Sequence, residues 1–121
     1  MAVQESRGSF VAVAKEGSVS EGSMYGVAVA GNAIVLSKIG GRIYAMDAVC
    51  SHYNGYLPKG ELVAAGRNTV ICPVHKAQFD AATGKVLKNV PGMLKLATHK
   101  EATDLRTYEV QVVDGDVQIR V

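Results

Sequence analysis

Residues 50–80 read CSHYNGYLPKGELVAAGRNTVICPVHKAQFD, and two short runs inside that stretch decide the fold: Cys50-Ser51-His52 and Cys72-Pro73-Val74-His75. Together they hold both cysteines and two of the three histidines in a chain of 121 residues. Taken singly, a cysteine is most often a small buried hydrophobe and a histidine a hydrogen-bonded polar residue. Those readings do not explain the pairing. Thiolate sulfur and imidazole nitrogen are the donors that suit iron–sulfur clusters, zinc and copper. A Cys50–Cys72 disulfide in an exported protein would leave both histidines without a role. A zinc site of two Cys and two His uses the same four atoms. Zinc-finger spacing, however, puts two Cys in one run and two His in the other, whereas each run here is mixed.

Working outward, the strongest local signals are those of strands. Val110 and Val112, then Val117, Ile119 and Val121, alternate with Glu109, Gln111, Gln118 and Arg120 around Asp114-Gly115, which predicts a hairpin. Gly31-Asn32 separates Tyr25–Ala30 from Ala33–Lys38 in the same way, and Gly40-Gly41 turns the chain into Arg42–Met46. Phe10–Ala14 reads as a first strand, and residues 17–22 as a turn rich in Ser and Gly. Two further hairpins are expected, Leu62–Ala64 with Thr69–Ile71 and Gln78–Asp80 with Lys85–Leu87. No stretch of helical period is long enough to assign. Residues 97–106 lack periodicity and read as a long loop. The expectation is an all-β antiparallel sandwich of one domain, 1–121, with a small ligand-bearing subdomain at about 46–92. Strand 42–46 would deliver Cys50, and Thr69–Ile71 would deliver Cys72.

Composition is that of an ordinary globular protein, with 48% apolar and 20% charged residues and a net charge of +2. That balance does not argue for nucleic acid. No run approaches the roughly 18 apolar residues of a membrane span, and the first residues carry an acid where a secretory signal needs an apolar core. The expected site is the cytoplasm, where thiols stay reduced and free for metal. Charge is unevenly spread: Arg67, Lys76, Lys85, Lys88, Lys95 and Lys100 are opposed between them only by Asp80. Such a run is either a solvated face or a docking patch for an acidic partner.

At its paired runs the chain resembles Rieske-type ferredoxins, the small electron carriers of bacteria and archaea. In a Rieske centre two His replace two Cys on one of two irons. The likeness includes Ala45-Met46-Asp47 before the first run, and Gln78-Phe79-Asp80 with Thr83-Gly84 after the second. It implies one 2Fe–2S cluster per chain, with Cys50 and Cys72 on the inner iron and His52 and His75 on the outer. It also implies that backbone N–H groups around Tyr53–Gly55 and Lys76–Gln78 face the bridging sulfides. Gly55 would allow close approach, Pro73 would stiffen its loop, and Pro91-Gly92 would open a covering third loop; each also reads as an ordinary turn residue.

High-potential members of that family carry a disulfide between their ligand loops and a membrane anchor. This chain has only two cysteines, and Ala77 and Phe79 stand where those members place Ser and Tyr hydroxyls. The resemblance therefore implies a low-potential one-electron carrier, not an enzyme, working between a reductase and an oxygenase or other oxidase. With the cluster assembled only His99 would remain, too little for the mononuclear iron of an oxygenase. The alternatives are a zinc-stabilised interaction module and a small Rieske subunit of a larger reductase.

Overall fold

The computed structural model describes residues 9–49, 55–63, 68–73, 76–88 and 103–121. Eleven strands run through them: β1 (Phe10–Lys15), β2 (Met24–Val29), β3 (Asn32–Ile39), β4 (Arg42–Asp47), β5 (Glu61–Val63), β6 (Thr69–Ile71), β7 (Gln78–Asp80), β8 (Val86–Lys88), β9 (Thr107–Tyr108), β10 (Val110–Val113) and β11 (Asp116–Arg120). They form three antiparallel sheets, in the orders β1-β11-β10, β2-β3-β4-β9 and β5-β6-β7-β8. Among the described residues the only helical pieces are single 3₁₀ turns at Glu16–Ser18 and Leu57–Lys59. No helix there is long and apolar enough to cross a membrane.

The second sheet is the middle layer, and β3 shows why. Ile34 and Leu36 pack with Ile43, Ala45, Val117 and Ile119 toward the first sheet. Val35, between them, packs the other way with Met46, Val70 and Phe79 toward the third. A strand buried on both faces has no polar side to alternate, which is why residues 34–36 are apolar without a break. Each wholly buried Ile, Leu or Val there is worth about 1.5–3 kcal/mol relative to exposure.

The hairpins follow their turn residues. Asp114 and Gly115 adopt φ 50° and 80° between β10 and β11, the left-handed pair that a two-residue hairpin turn requires. At the first hairpin the turn falls one residue earlier than the sequence suggests. Ala30 and Gly31 carry the positive φ values, 52° and 80°, and Asn32 pairs with Val29 as the first residue of β3. The apolar pattern does not separate the two placements, because sliding a two-residue turn by one leaves the same side chains facing each core. The other end of the hairpin does: Gly22 N–H donates to the Lys38 carbonyl at 2.8 Å and Lys38 N–H to the Ser23 carbonyl at 3.2 Å, continuing this register. It also sets Gly26 beneath the Tyr56 hydroxyl, which occupies the space a Cβ would need.

Residues 103–106 carry no strand or helix, as the loop expectation has it, yet the loop is anchored in the core. Leu105 is buried in the core shared with the third sheet, and Thr107–Tyr108 continue as β9 on the edge of β4. The strand was missed because it is only two residues long, and the buried leucine because polar residues stand on both sides of it.

One polar clamp gives a direct test of the fold. Gly40 and Gly41 donate their N–H groups to the two carboxylate oxygens of Glu21, at 2.6 and 2.8 Å. The Gly41 and Gly40 amides hold the Glu21 carboxyl below its ordinary value of 4.5. A carboxyl lowered on folding stabilises above its unfolded pKa, and the contribution is lost as pH falls through the folded one. Glu21→Ala should therefore lower the thermal midpoint at neutral pH, with the gap to wild type closing as pH drops below 4.5. Thermal unfolding followed by circular dichroism across that range checks it.

Candidate metal centre

The first ligand run leaves the fold at the end of β4. Asp47 N–H donates to the Arg106 carbonyl at 2.9 Å, and Ala48 N–H to the Ala33 carbonyl at 2.9 Å, so the strand is held on both sides up to its last residues. Val49 then bridges Tyr56 in antiparallel fashion, and Leu57 N–H donates to the Ala48 carbonyl at 2.8 Å. These two contacts close the foot of a loop whose intervening residues include Cys50 and His52. Both of those, with Tyr53, lie outside the described residues; Gly55, the last residue before the bridge, is buried.

The second run leaves from β6. Cys72 is a free thiol, 1% exposed, packed with Leu57, Val70, Ala77 and Phe79. Its N–H donates to the Ala77 carbonyl at 2.8 Å, while its own carbonyl accepts from Lys76 N–H at 3.2 Å. Cys72 and Ala77 thus close a second loop, the one that contains His75, itself outside the described residues. Lys76 takes φ 63° to complete it, a conformation uncommon for a residue with a side chain. The Lys76 amide, one of those the resemblance directs toward a sulfide, donates to the Cys72 carbonyl. Pro91-Gly92 and His99 also fall outside the described residues.

The two loop feet belong to one packed unit. Ala48 and Leu57 from the first and Cys72 and Ala77 from the second are all buried in the same cluster. Gly60, just after the 3₁₀ turn, brings the backbone against the Ile71 carbonyl and the Pro73 ring, leaving no room for a Cβ. A cleft of about 270 Å³ opens beside the second foot, lined by Lys59, Gly60, Glu61, Ile71, Cys72, Pro73 and Lys76. Lys59, which nothing in the sequence pattern singled out, therefore stands with Lys76 beside the one described ligand candidate. A larger cleft of about 390 Å³, lined by Arg42, Tyr44, Ala82, Thr107, Tyr108 and Glu109 among others, contains no thiol or imidazole. The chemistry thus points to the smaller one.

The donor set fits an iron–sulfur group. A thiol sunk in an apolar core suits an inner iron that water must not reach, and each loop brings one further imidazole in sequence. Two thiolates and two neutral imidazoles are the ligand complement of a Rieske centre.

Comparison with known proteins agrees. A family model described as the Rieske [2Fe-2S] domain matches residues 9–109. The chain is 32% identical over 103 residues, 85% of its length and 86% of the relative's, to the ferredoxin component of the naphthalene 1,2-dioxygenase/salicylate 5-hydroxylase systems of a Ralstonia species. It is 35% identical over 88 residues, 73% of its length and 76% of the relative's, to sulredoxin of Sulfurisphaera tokodaii. In fold it is similar to the ferredoxin of carbazole 1,9a-dioxygenase from Nocardioides aromaticivorans, with a TM-score of 0.78 at 24% identity over 93% of this chain and 97% of that one. The chain belongs to the Rieske [2Fe-2S] domain family, and its cofactor is a Rieske-type 2Fe–2S cluster.

Proposed function

We propose that this chain is a low-potential one-electron carrier, with Cys50 and Cys72 on one iron of its cluster and His52 and His75 on the other. One observation carries the reading: the loops that contain the four residues are closed at their feet by Val49–Tyr56 and Cys72–Ala77, and both feet pack in one core. When bound, the cluster takes up and releases one electron without a change in the protein's covalent structure. Everything else falls to the chain. The apolar packing of Leu57, Val70 and Phe79 keeps water from the Cys72 sulfur. Neutral imidazoles in place of two thiolates leave the oxidised centre less negative, so an added electron costs less than in a four-thiolate cluster.

Partners follow from the relatives. The Ralstonia protein is the ferredoxin component of dioxygenase and hydroxylase systems. By that likeness this chain accepts electrons from a reductase and passes them to an oxygenase or another redox enzyme. It is a carrier, not a catalyst. Two thiols that must stay free for iron place it in the reducing cytoplasm. The segment 46–92, with the third sheet at its centre, is its cluster-bearing subdomain.

The ligand assignment is tested by composition and spectroscopy. Purified protein should be red-brown, with two irons and two acid-labile sulfides per chain, and should give a rhombic paramagnetic signal when reduced with dithionite. Alanine at Cys50, His52, Cys72 or His75 should abolish that signal, whereas His99→Ala should keep it. Stoichiometric zinc in a colourless protein would establish the interaction-module reading instead.

The potential is tested through two buried positions. Ala77 and Phe79 are wholly buried beside Cys72 and bring no hydroxyl to it. A hydroxyl donated to a cluster sulfur favours the reduced, more negative state. Without that help the potential should lie at roughly −150 to 0 mV at neutral pH. A hydrogen bond to a charged group is worth about 1.5–3 kcal/mol, or roughly 65–130 mV for one electron. Phe79→Tyr should raise the potential by up to that amount in a voltammetric titration. A wild-type value near about +300 mV, the top of the Rieske range, would refute the low-potential assignment.

Docking is tested by salt. Lys59 and Lys76 are exposed at the mouth of the cleft beside Cys72. Electron transfer to an acidic partner should slow as the Debye length shrinks from about 10 Å at 0.1 M to about 3 Å at 1 M. Lys59→Glu with Lys76→Glu should slow it further and leave the visible spectrum unchanged. Rates indifferent to both would make these lysines a solvated face.

A further inference from the structure

We infer that residues 103–108 form a strap that holds the two ligand-bearing elements in fixed relation, and that Tyr108 is its positioning residue, acting on the Cys50 side through Asp47. The inference rests on the ligand assignment above and goes beyond it, because none of these residues belongs to either ligand motif.

The strap makes contact in two directions within six residues. Toward the hairpin that follows the Cys72 loop, the Asp104 carboxylate accepts from Val86 N–H at 2.9 Å, and Leu105 N–H donates to the Gly84 carbonyl at 2.7 Å. Gly84 takes φ 76°, and any Cβ there would strike the Leu105 carbonyl, so the two backbones meet as closely as chains can. The Leu105 side chain enters the core that holds Cys72, Ala77 and Phe79. Toward β4, the Arg106 carbonyl accepts from Asp47 N–H at 2.9 Å, and Tyr108 and Thr107 pair with Ala45 and Met46. The Tyr108 hydroxyl then donates to Asp47 Oδ1 at 2.6 Å.

Asp47 is thereby gripped at its main chain and at its side chain by the same short segment, three residues before Cys50. The Arg106 guanidinium lies over the Tyr108 ring, 4.7 Å from its centre, and covers the contact. Burial and the Asp47 carboxylate push the Tyr108 hydroxyl up to about 12, so it stays a donor through neutral and mildly alkaline solution. The two ligand loops come from different strands and share packing at their feet. Packing alone tolerates small slides, whereas directed hydrogen bonds on both sides set an angle and a distance. Iron–ligand geometry needs the latter.

The test uses the cluster-loaded protein and two readouts: the g values of the dithionite-reduced form, and the rate of cluster loss to an iron chelator. Tyr108→Phe removes the hydroxyl and leaves the Asp47 charge. It should shift the g values and speed cluster loss by about two- to tenfold, the span of one net hydrogen bond. Asp47→Asn keeps an acceptor oxygen and should behave as wild type, whereas Asp47→Ala should match Tyr108→Phe. Combining Asp47→Ala with Tyr108→Phe should add nothing. Glu21→Ala, which opens the clamp on the Gly40-Gly41 turn, supplies a control that lowers global stability through hydrogen bonds the strap does not share. The inference is overturned if Tyr108→Phe keeps the wild-type g values and lifetime. It is equally overturned if Glu21→Ala reproduces the effect, or if Asp47→Asn is as damaging as Asp47→Ala. A wild-type protein without two irons and a rhombic signal would instead defeat the ligand assignment, so the two failures are distinguishable.

Discussion

Four buried residues, Ala48, Leu57, Cys72 and Ala77, stand at the feet of two loops and pack in a single core. The site depends on that contact. Loops are the mobile parts of a fold, yet a metal centre needs its donors held to within a fraction of an ångström. The chain reconciles the two demands by making each loop short and pinning its ends. Val49 is bridged to Tyr56, and Cys72 N–H is bonded to the Ala77 carbonyl at 2.8 Å. Small side chains at Ala48 and Ala77, and the bare backbone at Gly60, let the feet approach closely enough for one core to serve both.

That core exists because the middle sheet is shared. β3 faces two packed layers at once, so the first and second sheets share a core of their own through Ile34, Leu36, Val117 and Ile119. The third sheet has strands of only three residues each and rests on Val35 and Met46 from that framework. A sheet so small does not bury enough apolar surface to stand alone. Its order comes from the platform beneath it and from the segment 104–108 beside it. Stability and function are therefore divided between layers: the first two supply a rigid base, and the third is shaped by the chemistry it carries.

Much of this was legible in the residues. Asp114-Gly115 and Gly40-Gly41 announced their turns because few residue types accept two consecutive positive φ values. The paired Cys and His runs announced the cofactor because no bland reading accounts for both together. The turn at Ala30-Gly31 was misplaced by one residue, since the deciding contacts are the remote ones of Gly22, Lys38 and Tyr56. Residues 103–106 are the loop they read as, but their anchoring went unread because it is done by a carboxylate on an amide, a hydroxyl on a carboxylate and one leucine. None of these leaves a period in the sequence.

A carrier of electrons faces a demand opposite to that of its own metal site. Its donors must be held rigidly, but its partners must be met and left quickly, which keeps redox interfaces small. Charge suits that purpose, because it accelerates encounter without adding the apolar area that slows release. Lys59 and Lys76 beside the cleft, with the half-exposed rims of Val49 and Tyr56 at the foot of the first loop, offer a few long-range charges around a little contact surface. The same loop feet that fix the donors thus also carry the groups that would meet a partner. An electron entering there would have the shortest path to the metal, since the docking groups and the ligands are neighbours along the chain.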